Sequence, residues 1–287
     1  MLDVMWRNIE IKYESKVDEI NLKNGRYLLF LDILGFSALV ENKSPEEVYN
    51  VIDTAIHSFS RWEELNQFFK TIYFSDTFLF YQEPKGYDNR AFLDVYAIGS
   101  MLISAMLAQG VPARGSIVFG EFEVKADSNN RHQLYFGKAL VEAYKTESIE
   151  QWIGITIQPS AWKPYEERNS GTIRALEREH VWKCRDDDIL LLNPFIKLRA
   201  WYTSDLIGEI DGPYMEWDQP EFPNDILGFR FLIDKASEFA RKGKFSGKDA
   251  VKYHSTVAFL KEVMGPELFE WALKISEKKH NKLINPI

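Results

Sequence analysis

Apolar residues along the chain follow strand-like and helix-like spacings in turn. Tyr27 to Leu34 form an apolar run that only Asp32 interrupts, which is typical of a buried strand, and Gly35 closes it. Ser44-Pro45-Glu46-Glu47 then places a capping serine, a proline at the first helical position and a glutamate three residues after the cap. Apolar residues from Val48 to Phe59 recur at helical spacing, so we predict a helix of about four turns.

The same spacings predict further strands and helices along the rest of the chain. The predicted strands are Phe68–Phe74, Thr77–Tyr81, Ala113–Phe119, Glu121–Lys125, Gln133–Phe136 and Trp152–Ile157, and the predicted helices are Ala91–Gln109 and Gly137–Glu147. Towards the C-terminus, Trp182–Leu198 predicts a strand and a short helix, followed by helices at Phe231–Lys242, Asp249–Glu262 and Pro266–Lys278.

The order of these elements favours one class of fold. Two strands meet in a hairpin at Ser75-Asp76, and helices separate the neighbouring strands, which is the arrangement of a split βαβ protein. We therefore predict an α+β, ferredoxin-like sandwich, with helices packed on an antiparallel sheet, rather than a doubly wound parallel sheet. We expect an N-terminal segment at residues 1–25, a main domain at 26–200 and a mainly helical C-terminal extension at 201–287.

Two acidic residues stand at strand ends in apolar surroundings. Asp32 lies near the end of the first strand, where a carboxylate is costly unless it meets a cation or several hydrogen-bond donors. Asp76 lies at the hairpin turn, and pairing of the strands would bring both acids to one point. Two carboxylates with a backbone carbonyl and triphosphate oxygens suit Mg²⁺ or Mn²⁺. Gly35, Phe36 and Ser37 can start a helix whose free N–H groups hold a phosphate. A purely structural role for each acid is the alternative.

Composition narrows the function classes. A net charge of −8 and a pI near 5.3 argue against direct binding to nucleic acid or to an anionic membrane. Bound cations would let such an acidic protein hold a triphosphate. Cys184 is the only cysteine, which excludes an intrachain disulfide framework. The first residues lack a secretory signal pattern and the apolar run at 27–34 is too short to span a bilayer, so we expect a cytoplasmic location.

Four segments resemble the signatures of class III adenylate/guanylate cyclases. Phe30-Leu31-Asp32-Ile33-Leu34-Gly35-Phe36-Ser37 is similar to F-x-D-I-x-G-F-[ST], and Ser75-Asp76 falls where those enzymes carry their second metal aspartate. Arg114–Gly120 resembles the R-x-G-I-x-x-G strand, and Gly137–Lys145 resembles G-x-x-V-N-x-A-x-R. The resemblance covers roughly residues 26–160.

The resemblance implies a homodimer with active sites at the interface and two Mg²⁺ or Mn²⁺ ions in each. One subunit would supply Asp32, the Ile33 carbonyl and Asp76 to the metals, and residues 35–37 to the phosphates. The other subunit would supply groups that read the base and stabilise charge. The 3′-hydroxyl of a nucleoside triphosphate would then attack its α-phosphorus and release pyrophosphate.

The sequence departs from that family at four positions. Ile72 stands where adenylate cyclases carry a base-reading lysine, and Leu134 where they carry its acidic partner. Neither side chain can pair with the edge of a purine, which discriminates against adenine and guanine. Val141 and Lys145 replace an asparagine and an arginine that stabilise the transition state, and lysine lacks the bidentate fork of arginine. Arg114 is the other basic candidate for the catalytic charge.

This combination of kept and lost residues resembles the pyrimidine cyclases of Pycsar anti-phage defence systems, as does the tail with Lys252-Tyr253-His254. The likeness implies that UTP or CTP is converted to cyclic UMP or cyclic CMP, which acts on a separate effector protein. The residues do not decide between UTP and CTP. Two alternatives stay open: a catalytically inactive cyclase-like sensor that binds nucleotide, which Val141 and Lys145 favour, and an adenylate or guanylate cyclase with unusual base readers.

Overall fold

A seven-stranded sheet forms the centre of the protein in the computed structural model, which describes residues 25–57, 69–82, 91–126, 133–199, 202, 221–243 and 247–284. The strands in these ranges are β1 (Gly25–Ile33), β2 (Phe69–Phe74), β3 (Thr77–Gln82), β4 (Ala113–Glu121), β5 (Glu123–Ala126), β6 (Gln133–Phe136), β7 (Gly154–Ile157), β8 (Trp182–Cys184) and β9 (Leu190–Leu192). The helices are α1 (Phe36–Asn42), α2 (Pro45–His57), α3 (Ala91–Ala108), α4 (Lys138–Ile149), α5 (Pro159–Arg168), α6 (Thr172–Arg178), α7 (Glu221–Arg241) and α8 (Lys248–Ile284). Residues 1–24 of the predicted N-terminal segment, and the predicted helix and strand ends at Phe59 and Phe68, lie outside the described residues.

The topology of the large sheet decides the fold class. Its strand order is β2-β3-β1-β4-β7-β9-β8, and every neighbouring pair is antiparallel except β4 with β7. Strands β5 and β6 pair in a separate antiparallel ribbon. The predicted α+β class, with helices packed on a largely antiparallel sheet, is confirmed.

Helix α2 begins at the capping motif that the sequence predicts. The Ser44 N–H and hydroxyl donate to Glu47 Oε2 at 2.9 Å and 2.8 Å, and the Glu47 N–H donates to Ser44 Oγ at 3.3 Å. These bonds satisfy N–H groups that have no partner inside the helix, which stabilises the helix start by about 1 kcal/mol. The start of α2 is therefore set by its local sequence.

Side chains of β1 alternate between two cores on opposite faces of the sheet. Leu29 and Leu31 pack in the larger core, which includes α3. Leu28 and Phe30 pack on the other face, against α4. Asp32 continues the second series, so β1 carries this carboxylate on the α4 face, one residue before the strand ends.

Helix α3 is the central helix of the larger core. It is long and apolar enough to cross a membrane, with a mean hydropathy of 1.8, but 89% of it is buried inside the protein. Its buried serine Ser100 has internal partners: the hydroxyl donates to the carbonyls of Asn193 and Pro194, both at 3.1 Å. An all-round apolar helix of this kind is expected where it is covered on every side.

The C-terminal part of the chain differs most from the prediction. Residues 182–198 hold two short antiparallel strands, β8 and β9, and helices α5 and α6 precede them without having been predicted. Helix α7 begins at Glu221 rather than Phe231 and packs on α3, adding Phe229 to the larger core. Within α8 the backbone breaks at Gly265, where φ is 71°, so the predicted helix start at Pro266 is confirmed.

Gly115 in β4 leaves no room for a side chain. A Cβ there would lie 2.3 Å from the carbonyl oxygen of Phe30 and 2.5 Å from Leu31 Cδ2. We expect Gly115→Ala to lower the free energy of unfolding by about 3 kcal/mol, because β1 must move away from β4. Urea unfolding measures this change. Gly247→Ala is the control, since no atom lies within 4 Å of its added Cβ. Equal unfolding midpoints for the two variants would contradict the close approach.

Candidate active site

Asp32 lies between two neighbouring strands at one end of the sheet. Its backbone is in register with Thr77 of β3 on one side and Arg114 of β4 on the other. Its side chain retains 25% of its exposure, so a solute can reach it. The sheet thus presents a carboxylate at an accessible edge with apolar strand behind it.

Asp76 reaches the same place through the turn between β2 and β3. Ser75 adopts a left-handed conformation, with φ 56°, which closes this two-residue turn. The Asp76 carbonyl then accepts a hydrogen bond from the Ile33 N–H at 2.9 Å. This bond fixes the turn beside the end of β1. The structure therefore brings Asp32, Ile33 and Asp76 together, as the paired strands predict.

Burial and neighbouring negative charges disfavour the ionised form of Asp32. Burial raises the pKa of Asp32 to about 6, and the negative charges of Glu147 and Asp76 add to the rise. The positive charges of Arg114 and Lys252 oppose it without cancelling it. The rise thus comes first from partial removal of the carboxylate from water and second from the neighbouring carboxylates. A bound cation would relieve that repulsion.

The donor atoms at this point fit a hard divalent cation. Asp32 and Asp76 offer carboxylate oxygens and Ile33 offers a carbonyl, which are the ligand types that Mg²⁺ and Mn²⁺ prefer. Within the described ranges, no three His, Cys, Asp or Glu side chains converge on one metal position. The protein ligands alone therefore make an incomplete shell, of the kind that substrate phosphates and water complete.

Arg114 is engaged with acidic groups of its own chain. Its Nε donates to a carboxylate oxygen of Glu147, and a terminal nitrogen donates to the Glu150 carbonyl at 3.0 Å. Its other terminal nitrogen lies 3.9 Å from Asp32 Oδ2. The predicted catalytic charge at Arg114 thus stands beside the candidate metal ligands, with its donors committed mainly to the end of α4.

Glu147 is the site residue that the sequence reading passed over. Its side chain is 5% exposed, and burial raises its pKa, although the adjacent Arg114 guanidinium lowers it. A signal for it existed: Ala139, Ala143 and Glu147 follow each other at intervals of four, so they share the face of α4 that packs on the sheet. An acid on an otherwise apolar helix face requires a partner, and Arg114 is that partner.

Lys145 and Val141 lie on a different side of α4 and line a groove of about 780 Å³. The groove also involves the β4–β5 junction and the start of α4, and neither Asp32 nor Asp76 lines it. Val141 is 52% exposed and Lys145 is exposed. The structure therefore does not bring Lys145 to the two aspartates within one chain. A shared site would need a second chain.

The predicted phosphate-binding residues form the start of α1. Gly35 caps this helix with φ 75°, and Phe36 and Ser37 are its first two residues. No residue of α1 is buried, and the helix follows β1 after a two-residue turn. Residues 35–37 thus lie close to Asp32 along the chain, and their role in binding phosphate stays a prediction.

The two predicted base-reading positions have different surroundings. Ile72 on β2 is partly buried and packs against the smaller core, whereas Leu134 on β6 is 62% exposed. More apolar side chains are exposed on β2, β6 and α4, which all pack around that smaller core. We call these residues the exposed apolar surface: Phe74, Leu134, Phe136, Val141, Tyr144 and Ile149.

Comparisons with known proteins point to one group of structures. No protein-family model matches the sequence, and no curated protein matches it either. The adenylyl cyclase CyaB from P. aeruginosa is 14% identical, with 59% of this chain and 93% of that chain covered and a TM-score of 0.44. The guanylate cyclase domain of RhGC from Catenaria anguillulae, solved with GTP, is 14% identical, with coverages of 59% and 94% and a TM-score of 0.42.

A dimeric guanylyl cyclase domain from the aquatic fungus Blastocladiella emersonii is also 14% identical, with 50% of this chain and 84% of that chain covered. Its TM-score is 0.40. These three structures are adenylyl and guanylyl cyclase domains. At these scores the likeness carries no argument about activity, which has to come from the site itself.

Proposed function

We propose that this protein is a metal-dependent nucleotide cyclase. The observation that carries the proposal is the meeting of Asp32, Ile33 and Asp76 at one edge of the sheet, with the start of α1 directly beside them. This arrangement combines oxygen donors for a divalent cation with backbone N–H donors for phosphate. The signature-like segments at these same residues support the assignment.

Each residue has a distinct task in the proposed reaction. Asp32, Asp76 and the Ile33 carbonyl would hold two Mg²⁺ or Mn²⁺ ions, which would neutralise charge and make the 3′-hydroxyl more acidic. Residues 35–37 orient the phosphates through their N–H groups. The 3′-oxygen attacks the α-phosphorus, the bond to the pyrophosphate oxygen breaks, and the hydroxyl proton leaves to solvent.

A homodimer would complete this site. Lys145 and Val141 line a groove apart from the aspartates, so a second subunit has to bring Lys145 to the phosphate. The exposed apolar surface supports such an association, because Phe74 at 78% exposed and Ile149 at 69% exposed would be covered by it. Lysine then supplies a point charge to the transition state.

We further propose that the substrate is UTP or CTP and the product is cyclic UMP or cyclic CMP. Ile72 and Leu134 offer no hydrogen-bonding side chain at the positions where purine cyclases read the base, which supports a smaller base. The product would act as a second messenger on a separate effector protein in anti-phage defence, and we expect the enzyme in the cytoplasm.

One observation favours a second candidate, a catalytically inactive domain that senses nucleotide. Arg114 lies 3.9 Å from Asp32 and partly neutralises the carboxylate that a metal would need. A binding protein could keep this arrangement permanently. An active cyclase must leave Asp32 to the metal.

Incubation with ATP, GTP, CTP and UTP in turn, each with Mn²⁺, tests the proposal when products are identified by mass spectrometry. We expect a 3′,5′-cyclic pyrimidine monophosphate from the wild-type protein. Asp186→Ala is a matched control for a variant that removes Asp32. It removes an exposed aspartate far along the chain from the site and should keep the activity. A cyclic purine would overturn the pyrimidine assignment, and no product from any nucleotide would favour the sensor.

A further inference from the structure

A chain of charged contacts connects the end of α4 to the candidate metal ligands. Arg114 is its central member and has three neighbours: the Glu147 carboxylate, the Glu150 carbonyl and the Asp32 carboxylate. Glu147 is the most buried of the three carboxyl-bearing groups around it, at 5% side-chain exposure. The Arg114 side chain is 16% exposed, so little water competes for its donors.

Arg114 lies closer to the carboxylate of Glu147 than to that of Asp32. Glu147 accepts a direct hydrogen bond from Nε, whereas Asp32 is 3.9 Å from the nearest guanidinium nitrogen, beyond hydrogen-bond length. The Glu150 carbonyl, at 3.0 Å, draws the guanidinium in the same direction as Glu147, since Glu147 lies in the last turn of α4 and Glu150 caps it. Arg114 therefore stands close to Asp32 while its donors point to α4.

We propose that Glu147 is a positioning residue that holds Arg114 away from Asp32, so that the Asp32 carboxylate stays available to a divalent cation. This inference rests on the proposed metal site at Asp32 and Asp76. It assigns a task to a residue that no signature-like segment singles out, and it explains why a buried acid is kept on the packed face of α4.

The alternative arrangement follows from the cost of a buried unpaired charge. Without the Glu147 carboxylate, the part-buried guanidinium loses its nearest acidic partner, and such a charge takes whatever counter-ion is within reach. Asp32 is directly across in the β1–β4 register, so only a side-chain rotation separates the two groups. The present 3.9 Å ion pair between Arg114 and Asp32 would then tighten into a hydrogen-bonded pair, which competes more strongly with any metal for the same oxygens.

The inference can be tested by Mn²⁺ binding alone, followed through the electron paramagnetic resonance signal of the free ion. We expect Glu147→Gln, which keeps the shape of the side chain, to weaken Mn²⁺ binding about tenfold, as loss of a group supporting a metal ligand commonly does. Arg114→Gln should bind Mn²⁺ a few-fold more tightly than wild type, because the competing cation is gone. The double variant should bind at least as well as wild type.

The pattern across the variants separates the possible roles. Equal binding by wild type and Glu147→Gln would overturn the inference while leaving the metal site in place. A double variant as weak as Glu147→Gln would also overturn it, because Glu147 would then serve the metal directly or support the fold. Weaker binding by Arg114→Gln would contradict the competition even if Glu147→Gln does not fold. A wild-type protein that binds no Mn²⁺, or whose binding survives Asp32→Ala, would overturn the proposed metal site and this inference together.

Discussion

An Asp32→Asn variant is expected to lose cyclase turnover, by at least about a thousandfold, and to be more stable than the wild-type protein. Turnover is lost because asparagine cannot supply the anionic oxygens that hold the divalent cations. Stability rises because the ionised Asp32 carboxylate is partly removed from water and, in addition, lies near the negative charges of Glu147 and Asp76. One substitution should thus remove the activity that depends on Asp32 and also remove the loss of stability that its ionised carboxylate causes.

The stability gain has a defined pH dependence. The pKa of Asp32 is about 6 in the folded protein against an ordinary value of 3.8, so the folded state holds its proton more tightly than the unfolded state. The contribution of Asp32 to stability therefore falls as the pH rises from about 4 to about 6, and stays lower above that. We expect the gain from Asp32→Asn to be about 2 to 3 kcal/mol above pH 7 and to fade as the pH falls towards 4.

Urea unfolding of both proteins at pH 8 and pH 4, with a chelator present, measures this gain. The chelator matters because a bound cation would itself relieve the repulsion. Asp186→Asn serves as the control for the loss of one negative charge, since Asp186 is exposed. A destabilised Asp32→Asn protein at pH 8 would contradict the crowded carboxylate, and an Asp32→Asn protein with full turnover would contradict the metal site.

Mixing two defective variants should restore activity if the sites lie between subunits. Lys145→Ala is expected to lower kcat about a hundredfold, because it removes a charge that stabilises the transition state. When Lys145→Ala and Asp32→Asn subunits exchange, half of the dimers combine one of each. Each such dimer has one intact site, so the mixture should regain about a quarter of wild-type activity.

The same experiment contains its own control. Asp32 and Asp76 lie close together on one chain, because the Ile33 N–H donates to the Asp76 carbonyl. A mixture of Asp32→Asn and Asp76→Ala subunits therefore contains no intact site and should stay inactive. Recovery in this second mixture, or none in the first, would argue against a site shared between two subunits.

The sequence by itself determined the elements whose signals are local. The capping bonds between Ser44 and Glu47 form as predicted, and Gly265-Pro266 interrupts the last helix where the glycine conformation requires it. Because side chains alternate along β1, Asp32 lies on the face of the sheet opposite to Leu31. The hairpin turn places Asp76 at a strand end. These features depend on residues near each other in the chain, so a single stretch contains the whole signal.

Only the tertiary structure decided which distant residues meet. The strand pair β8–β9 forms because β9 finds β7 as a neighbour, and three-residue strands have too little periodicity to predict. The partnership of Arg114 with Glu147 joins β4 to α4, and the Lys145 groove lies on another side of that helix. The physical reason is that burial and charge pairing act through space, so the packing of elements that are distant in the chain, which no local pattern encodes, selects the partners.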